Sequence, residues 1–303
     1  MTDAGSRHLL GLADLDDASF HQLLERADAL DAAPPPPSLT GRTVANLFFE
    51  PSTRTRASFE LAATRLGAHV LNLDIPRSST SKGETLVDTV RALQAMQVDT
   101  FVVRHRDDGI LRAAVSALGN HAPSFVNAGE GRSEHPTQGL IDALAVQRRF
   151  GDCAGLRIAI IGDIAHSRVA RSSAIALSRL GAEVCVAGPV SLLPDAPFQG
   201  ARLADGFDDA ISGAMVVMML RVQRERMAAG GAPDDAAYHA EWGLTRARLA
   251  RAAKGAVVMH PGPFNRGVEI ASDVADGPDS MILDQVALGV PVRMAVLEWV
   301  ANR

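Results

Sequence analysis

Lysine is almost absent from this 303-residue chain: Lys82 and Lys254 are the only two. Arginine carries nearly all the positive charge, as a bias in genome composition would produce. A lysine that survives such a bias calls for a functional reading. Cysteine is scarce too. Cys153 and Cys185 lack the spacing of metal ligands and fall in or beside expected strands. They read as buried free thiols in a reducing cytosol. No apolar run approaches the roughly 20 residues that span a bilayer as a helix. The N-terminus has no basic segment followed by an apolar one, so no signal peptide is expected, and the expected location is cytoplasmic. The formal net charge of −5 argues against general nucleic-acid binding. Two phosphate fingerprints are also missing. There is no Gly-x-x-x-x-Gly-Lys loop, and Gly162 stands alone where a dinucleotide site needs Gly-x-Gly-x-x-Gly. No acid–base dyad, nucleophilic cysteine or metal cluster is visible, so no cofactor and no metal are expected.

What the chain does have is a turn built for an anion. Residues 44–49 are apolar and partly β-branched or aromatic, as a buried strand should be. Pro51 stops the strand, and Ser52 is an expected N-cap. Phe59, Ala62, Ala63 and Leu66 then fall at helical spacing, and Gly67 ends the run. Arg54 and Arg56 therefore lie in the first helical turn, where the macrodipole already places positive charge. Free N–H groups and the hydroxyls of Ser52, Thr53 and Thr55 add donors. An anion resolves the conflict, and phosphate fits best. The alternative is a capped surface helix that happens to begin with arginines.

Short apolar strands and helical stretches alternate along the chain. Strands are expected at 44–49, 68–73, 100–103, 124–127, 157–161, 183–187, 214–220 and 256–259. Helices are expected at 17–33, 53–66, 86–96, 110–118, 137–150, 206–210, 245–252 and 285–301, and residues 162–171 turn into one more that ends near 180. The alternation predicts an α/β fold, and the length allows two domains. Residues 8–12 read as a lead-in, 76–85 as a mobile polar loop, and 227–244 as a long mobile loop.

Polar side chains gather just beyond strand ends, where open α/β sheets bind ligands. Arg104 ends one strand; Asp107 or Asp108 could equally pair with it. His135 and Gln138 open the helix after the 124–127 strand. Arg168 sits at the turn after 157–161, ready for a carboxylate or for a surface salt bridge. Arg221 and Gln223 follow 214–220. Pro261, Gly262 and Pro263 follow 256–259 as a tight turn.

These motifs carry a resemblance. Phe-Phe-Glu-Pro-Ser-Thr-Arg-Thr-Arg-x-Ser-Phe-Glu at 48–60 resembles the carbamoyl-phosphate motif of the aspartate and ornithine carbamoyltransferases. Ser-x-x-x-Lys-Gly-Glu-Thr, His135-Pro136-Thr137-Gln138, Gly-Asp-x-x-His-Ser-Arg-Val, Arg221-x-Gln223 and His260-Pro261-Gly262-Pro263 follow in the family's order. The last is similar to the aspartate branch, whereas ornithine enzymes typically carry His-Cys-Leu-Pro there. Val169 departs from the best-known enterobacterial type, which has threonine.

The resemblance implies two α/β domains, each a mostly parallel sheet flanked by helices. Residues 1–149 would bind carbamoyl phosphate and 150–303 aspartate, with 286–303 forming a helix that packs back on the first domain. It implies transfer of a carbamoyl group to L-aspartate, an early step of pyrimidine synthesis. Ser52, Thr53, Arg54, Thr55, Arg104, His135, Gln138, Pro261, Gly262 and Pro263 would bind carbamoyl phosphate. Lys82, Arg168, Arg221 and Gln223 would bind aspartate. Arg54, Thr55, Lys82, Arg104 and His135 would be catalytic. Lys82 would reach into the site of a neighbouring subunit, so the implied assembly is a homotrimer with shared sites. Regulatory or dihydroorotase-like chains are possible partners. Two rivals stand beside this reading: a carbamoyltransferase for another amine such as ornithine, and a non-catalytic binding or regulatory subunit.

Overall fold

A computed structural model of the chain describes residues 7–33, 35–73, 84–195, 199–227 and 233–301. The chain divides into two compact units, Met1–Leu140 with Leu288–Arg303, and Ile141–Ala287. Lys82, the expected neighbour-reaching lysine, lies outside the described residues, as does most of the 76–85 stretch.

The first unit is built on five parallel strands. In chain order its elements are β1 (His8–Leu9), α1 (Asp17–Ala32), β2 (Thr43–Phe48), α2 (Thr53–Arg65), β3 (His69–Leu73), α3 (Leu86–Ala95), β4 (Thr100–His105), α4 (Ile110–Leu118), β5 (Ser124–Glu130) and the start of α5 (Pro136–Phe150). The sheet order is β1-β5-β4-β2-β3. Parallel neighbours need a crossover, and the helices supply it. Apolar side chains of β2, β4 and β5, such as Leu47, Phe101, Val103 and Phe125, pack with Leu86, Val90 and Leu111 from α3 and α4.

The second unit repeats the plan with β6 (Arg157–Ile161), α6 (Arg168–Arg179), β7 (Glu183–Ala187), β8 (Arg202–Leu203), α7 (Phe207–Ile211), β9 (Val216–Met219), α8 (Asp235–Trp242), α9 (Arg246–Leu249), β10 (Val257–Met259), α10 (Ser272–Ala275) and the start of α11 (Ile282–Ala301). Its order is β10-β9-β6-β7-β8, again parallel. Both sheets are mostly parallel and flanked by helices. The last part of α11, from Leu288, belongs to the first unit. Leu288, Val292, Val296 and Val300 are buried there, whereas Val286 is exposed.

Each sheet has one place where the strand order reverses. In the first, β2 pairs with β3 on one side and β4 on the other. In the second, β6 pairs with β7 and β9. Beyond the carboxyl ends of these pairs the chain diverges and leaves a crevice.

Several expectations need correction. Residues 8–9 are a strand, with His8 opposite Phe125 and Leu9 opposite Val126. A two-residue strand is too short to show periodicity. The 227–244 stretch is not simply a loop, because α8 occupies Asp235–Trp242. Asp234 caps it by accepting from the N–H groups of Ala236 and Ala237, and Tyr238 and Trp242, one turn apart, are buried. Ser52 stands at the N-cap position of α2, but its side chain makes no capping bond.

Candidate active site

In the first unit, the crevice between β2 and β4 is where the anion turn stands. Phe48 of β2 lies opposite Arg104 of β4 in the register. Thr53, Arg54 and Thr55 open α2 directly after β2. Arg54 and Thr53 are exposed, and Thr55 is buried. The first helical bond seen is Arg56 N–H to the Ser52 carbonyl at 3.2 Å. Because the Ser52 hydroxyl caps no helix N–H, it is not committed to the helix end.

Arg104 reaches towards both neighbouring strands. Its Nη1 donates to the Ala128 carbonyl at 3.2 Å, and its Nε lies 3.4 Å from Glu50 Oε2. Asp107 turns to His105 and Arg106, and Asp108 accepts from the N–H groups of Arg132 and Ser133, each at 2.9 Å. The Asp108 bonds hold the loop that carries His135. His135 is buried, with Nδ1 3.5 Å from Thr137 Oγ1, and its carbonyl accepts the Gln138 N–H at 2.9 Å. The anion turn, Arg104, His135 and Gln138 thus stand at the carboxyl ends of β2, β4 and β5 or on the helices that follow.

In the second unit, Arg168 follows the carboxyl end of β6, and Arg221 and Gln223 follow that of β9. Gly162 follows β6 with φ +136°, and an added Cβ would meet the Leu220 carbonyl oxygen at 2.6 Å. Only glycine lets the two strand ends approach this closely. Arg168 is the first residue of α6 and is 4% exposed. Ser167 caps that helix through the Ala170 N–H at 3.1 Å. Arg221 follows β9 and pairs with Glu225, a bond that raises the Arg221 pKa against the opposing effect of burial. Gln223 Nε2 donates to the His166 carbonyl at 2.9 Å.

Two buried carboxylates missed in the sequence support this segment. Asp163 Oδ2 accepts the Gln223 N–H at 3.0 Å, and Glu269 Oε1 accepts the Val222 N–H at 3.0 Å. Asp163 belongs to a motif already singled out, but a backbone contact across the sheet leaves no local trace. Pro261, Gly262 and Pro263 follow β10, next to β9 in the same sheet. Among the described residues, no group of three or more His, Cys, Asp and Glu could hold a metal ion. No helix of the described residues is long and apolar enough to cross a membrane.

Comparison with known proteins names the fold. A model of the aspartate/ornithine carbamoyltransferase carbamoyl-P binding domain matches residues 7–148, and a model of the Asp/Orn binding domain matches 154–300. The chain belongs to this family. The aspartate carbamoyltransferase catalytic subunit of Xanthomonas euvesicatoria pv. vesicatoria is 54% identical over 305 residues, covering 98% of this chain and 96% of that protein. The crystal structure of aspartate transcarbamoylase from Trypanosoma cruzi with carbamoyl phosphate and aspartate has a TM-score of 0.84 at 32% identity, covering 97% of this chain and 96% of that one. Ornithine carbamoyltransferase from Gloeobacter violaceus also superposes, with a TM-score of 0.82 at 28% identity over 99% of this chain and 100% of that one. The family fold therefore does not separate its two branches, whereas the 54% relative lies in the aspartate branch.

Proposed function

We infer that this chain transfers the carbamoyl group of carbamoyl phosphate to the amino group of L-aspartate, giving N-carbamoyl-L-aspartate and phosphate. The observation that carries the reading is the near full-length 54% identity to an aspartate carbamoyltransferase catalytic subunit, with the motif residues standing at strand ends. Residues 1–149 serve carbamoyl phosphate and 150–303 serve aspartate. The reaction is an early step of pyrimidine synthesis, carried out in the cytoplasm.

The residues point to catalysis by positioning and charge stabilisation. Aspartate's neutral amine attacks the carbamoyl carbon. The carbonyl oxygen gains negative charge, which Thr55, Arg104 and His135 stabilise. The carbon–oxygen bond to phosphate then breaks, and phosphate leaves into the donors of Ser52, Thr53, Arg54 and Thr55, joined by Lys82. The amine proton passes to a phosphate oxygen. Gln138 and the carbonyls of the Pro261-Gly262-Pro263 turn orient the carbamoyl amino group. Arg168, Arg221, Gln223 and Lys82 hold aspartate's two carboxylates. The active form is a homotrimer in which Lys82 serves a neighbour's site.

An ornithine-type substrate would want an acidic partner for its side-chain amine. Arg168 and Arg221 offer the opposite charge. The test is a product assay with carbamoyl phosphate and either amino acid. Carbamoyl-aspartate should form with a kcat/KM at least about 10³-fold above that for ornithine. Equal rates, or ornithine preference, would overturn the assignment.

A further inference from the structure

Behind the Pro261-Gly262-Pro263 turn runs a chain of buried polar groups, all in the second unit. Gln285 on α11 accepts the His260 backbone N–H through Oε1 at 2.8 Å and donates through Nε2 to Asp142 Oδ1 at 2.8 Å. Asp142 on α5 accepts the Ser173 hydroxyl of α6 through Oδ2. Asp142 and Ser173 are fully buried, Gln285 is 2% exposed and His260 1%. Buried polar groups cost stability unless paired, and pairing lends them a defined orientation.

The chain's polarity leaves the carboxamide one orientation. The Asp142 carboxylate only accepts, so the Gln285 NH₂ must face it. The Gln285 oxygen then faces the His260 backbone N–H and holds the main chain from which the imidazole projects. At the far end, the Gly262 N–H donates to His260 Nδ1 at 2.8 Å. The Pro261–Gly262 peptide is planar and trans, so its N–H and C=O point in opposite directions. Fixing the N–H on the imidazole therefore fixes where the Pro261 carbonyl points. Nothing in the proposed chemistry uses Asp142, Gln285 or the His260 ring, yet together they aim a carbonyl that it does use.

We propose that Asp142, Gln285 and His260 are positioning residues that aim the Pro261 carbonyl at the carbamoyl amino group and so set the preference for carbamoyl phosphate over inorganic phosphate. The proposal rests on the carbamoyltransferase reading. Inorganic phosphate has no amino group, so a fault in this relay leaves its binding alone. General damage to the fold would weaken both anions together.

The experiment measures the Kd of carbamoyl phosphate and of inorganic phosphate for the full chain and two variants. Gln285→Met keeps the side-chain volume but loses both bonds. Asp142→Asn keeps the shape but lets the Gln285 carboxamide turn over, and it is the milder variant should Gln285→Met not fold. Gln285→Met should weaken carbamoyl phosphate about tenfold with phosphate within about twofold, the scale of one buried acceptor lost. Asp142→Asn should shift the ratio in the same direction by less. An unchanged ratio in either folded variant, or a parallel loss of both ligands, overturns the relay. Failure of the unaltered protein to carbamoylate aspartate would instead overturn the functional reading.

Discussion

The Gln223 backbone N–H donates to Asp163 Oδ2 at 3.0 Å, across 60 residues of sequence. Asp163 is fully buried, and its other oxygen accepts the His166 N–H at 3.2 Å. One carboxylate thus ties the turn after β6 to the segment after β9. Asp163→Ala should raise the aspartate KM by about tenfold or more, because the lost acceptor strands buried donors. Carbamoyl-phosphate affinity should stay within about twofold. Titrating each substrate separately tests this, and equal damage to both would count against it.

Arg221→Ala should act on the same substrate. The guanidinium stands past the end of β9, braced by Glu225. Its loss should raise the aspartate KM strongly while kcat at saturation falls less, the signature of lost uniform binding. A fall in kcat with unchanged KM would contradict a role in substrate binding.

Arg54→Ala should leave the fold intact and lower kcat by about 10²–10³, the scale of losing one preorganised donor. Arg54 is exposed in the first turn of α2, so its removal leaves no core cavity. Near-normal turnover at saturating substrates would remove it from the mechanism.

Glu130 should leave a mark on pH-dependent stability. Burial pushes its carboxyl above the ordinary value of 4.5, against the opposing bonds from the Leu111 and Gly109 N–H groups. Between the ordinary and the raised value, the folded chain holds a proton that the unfolded chain has released. This group's contribution is therefore complete below the ordinary value and declines as pH rises through the native one. Denaturation of the unaltered protein and of Glu130→Gln across that window isolates it. The stability difference should move in favour of Glu130→Gln as pH rises and then level off. A difference independent of pH would refute the assignment.

Shared sites predict complementation. If Lys82 serves a neighbour, Arg54→Ala and Lys82→Ala chains should each be nearly inactive alone. In a mixed trimer, one interface brings an intact Arg54 against an intact Lys82. Reassembly should recover up to about one third of the sites per mixed trimer. No recovery in mixed trimers shown to have formed would rule out sharing.

Local pattern determined much of this protein. Apolar runs bounded by turn residues placed the strands, helical spacing placed most helices, and their alternation set the α/β class. The motifs named the polar residues near the strand ends, because each is a contiguous string whose chemistry its own neighbours define. Short or amphipathic elements escaped: β1 has two residues, and α8 depends on burying Tyr238 and Trp242 in a core that the sequence does not display. Tertiary structure decided the strand order, and with it which two crevices the motifs occupy. It also decided who holds whom: Glu50 lies against Arg104, and Gln285 reaches Asp142 across 143 residues. Such pairings depend on which backbone groups remain unsatisfied once the sheets have formed. That is a property of the folded layers and not of any one stretch of chain.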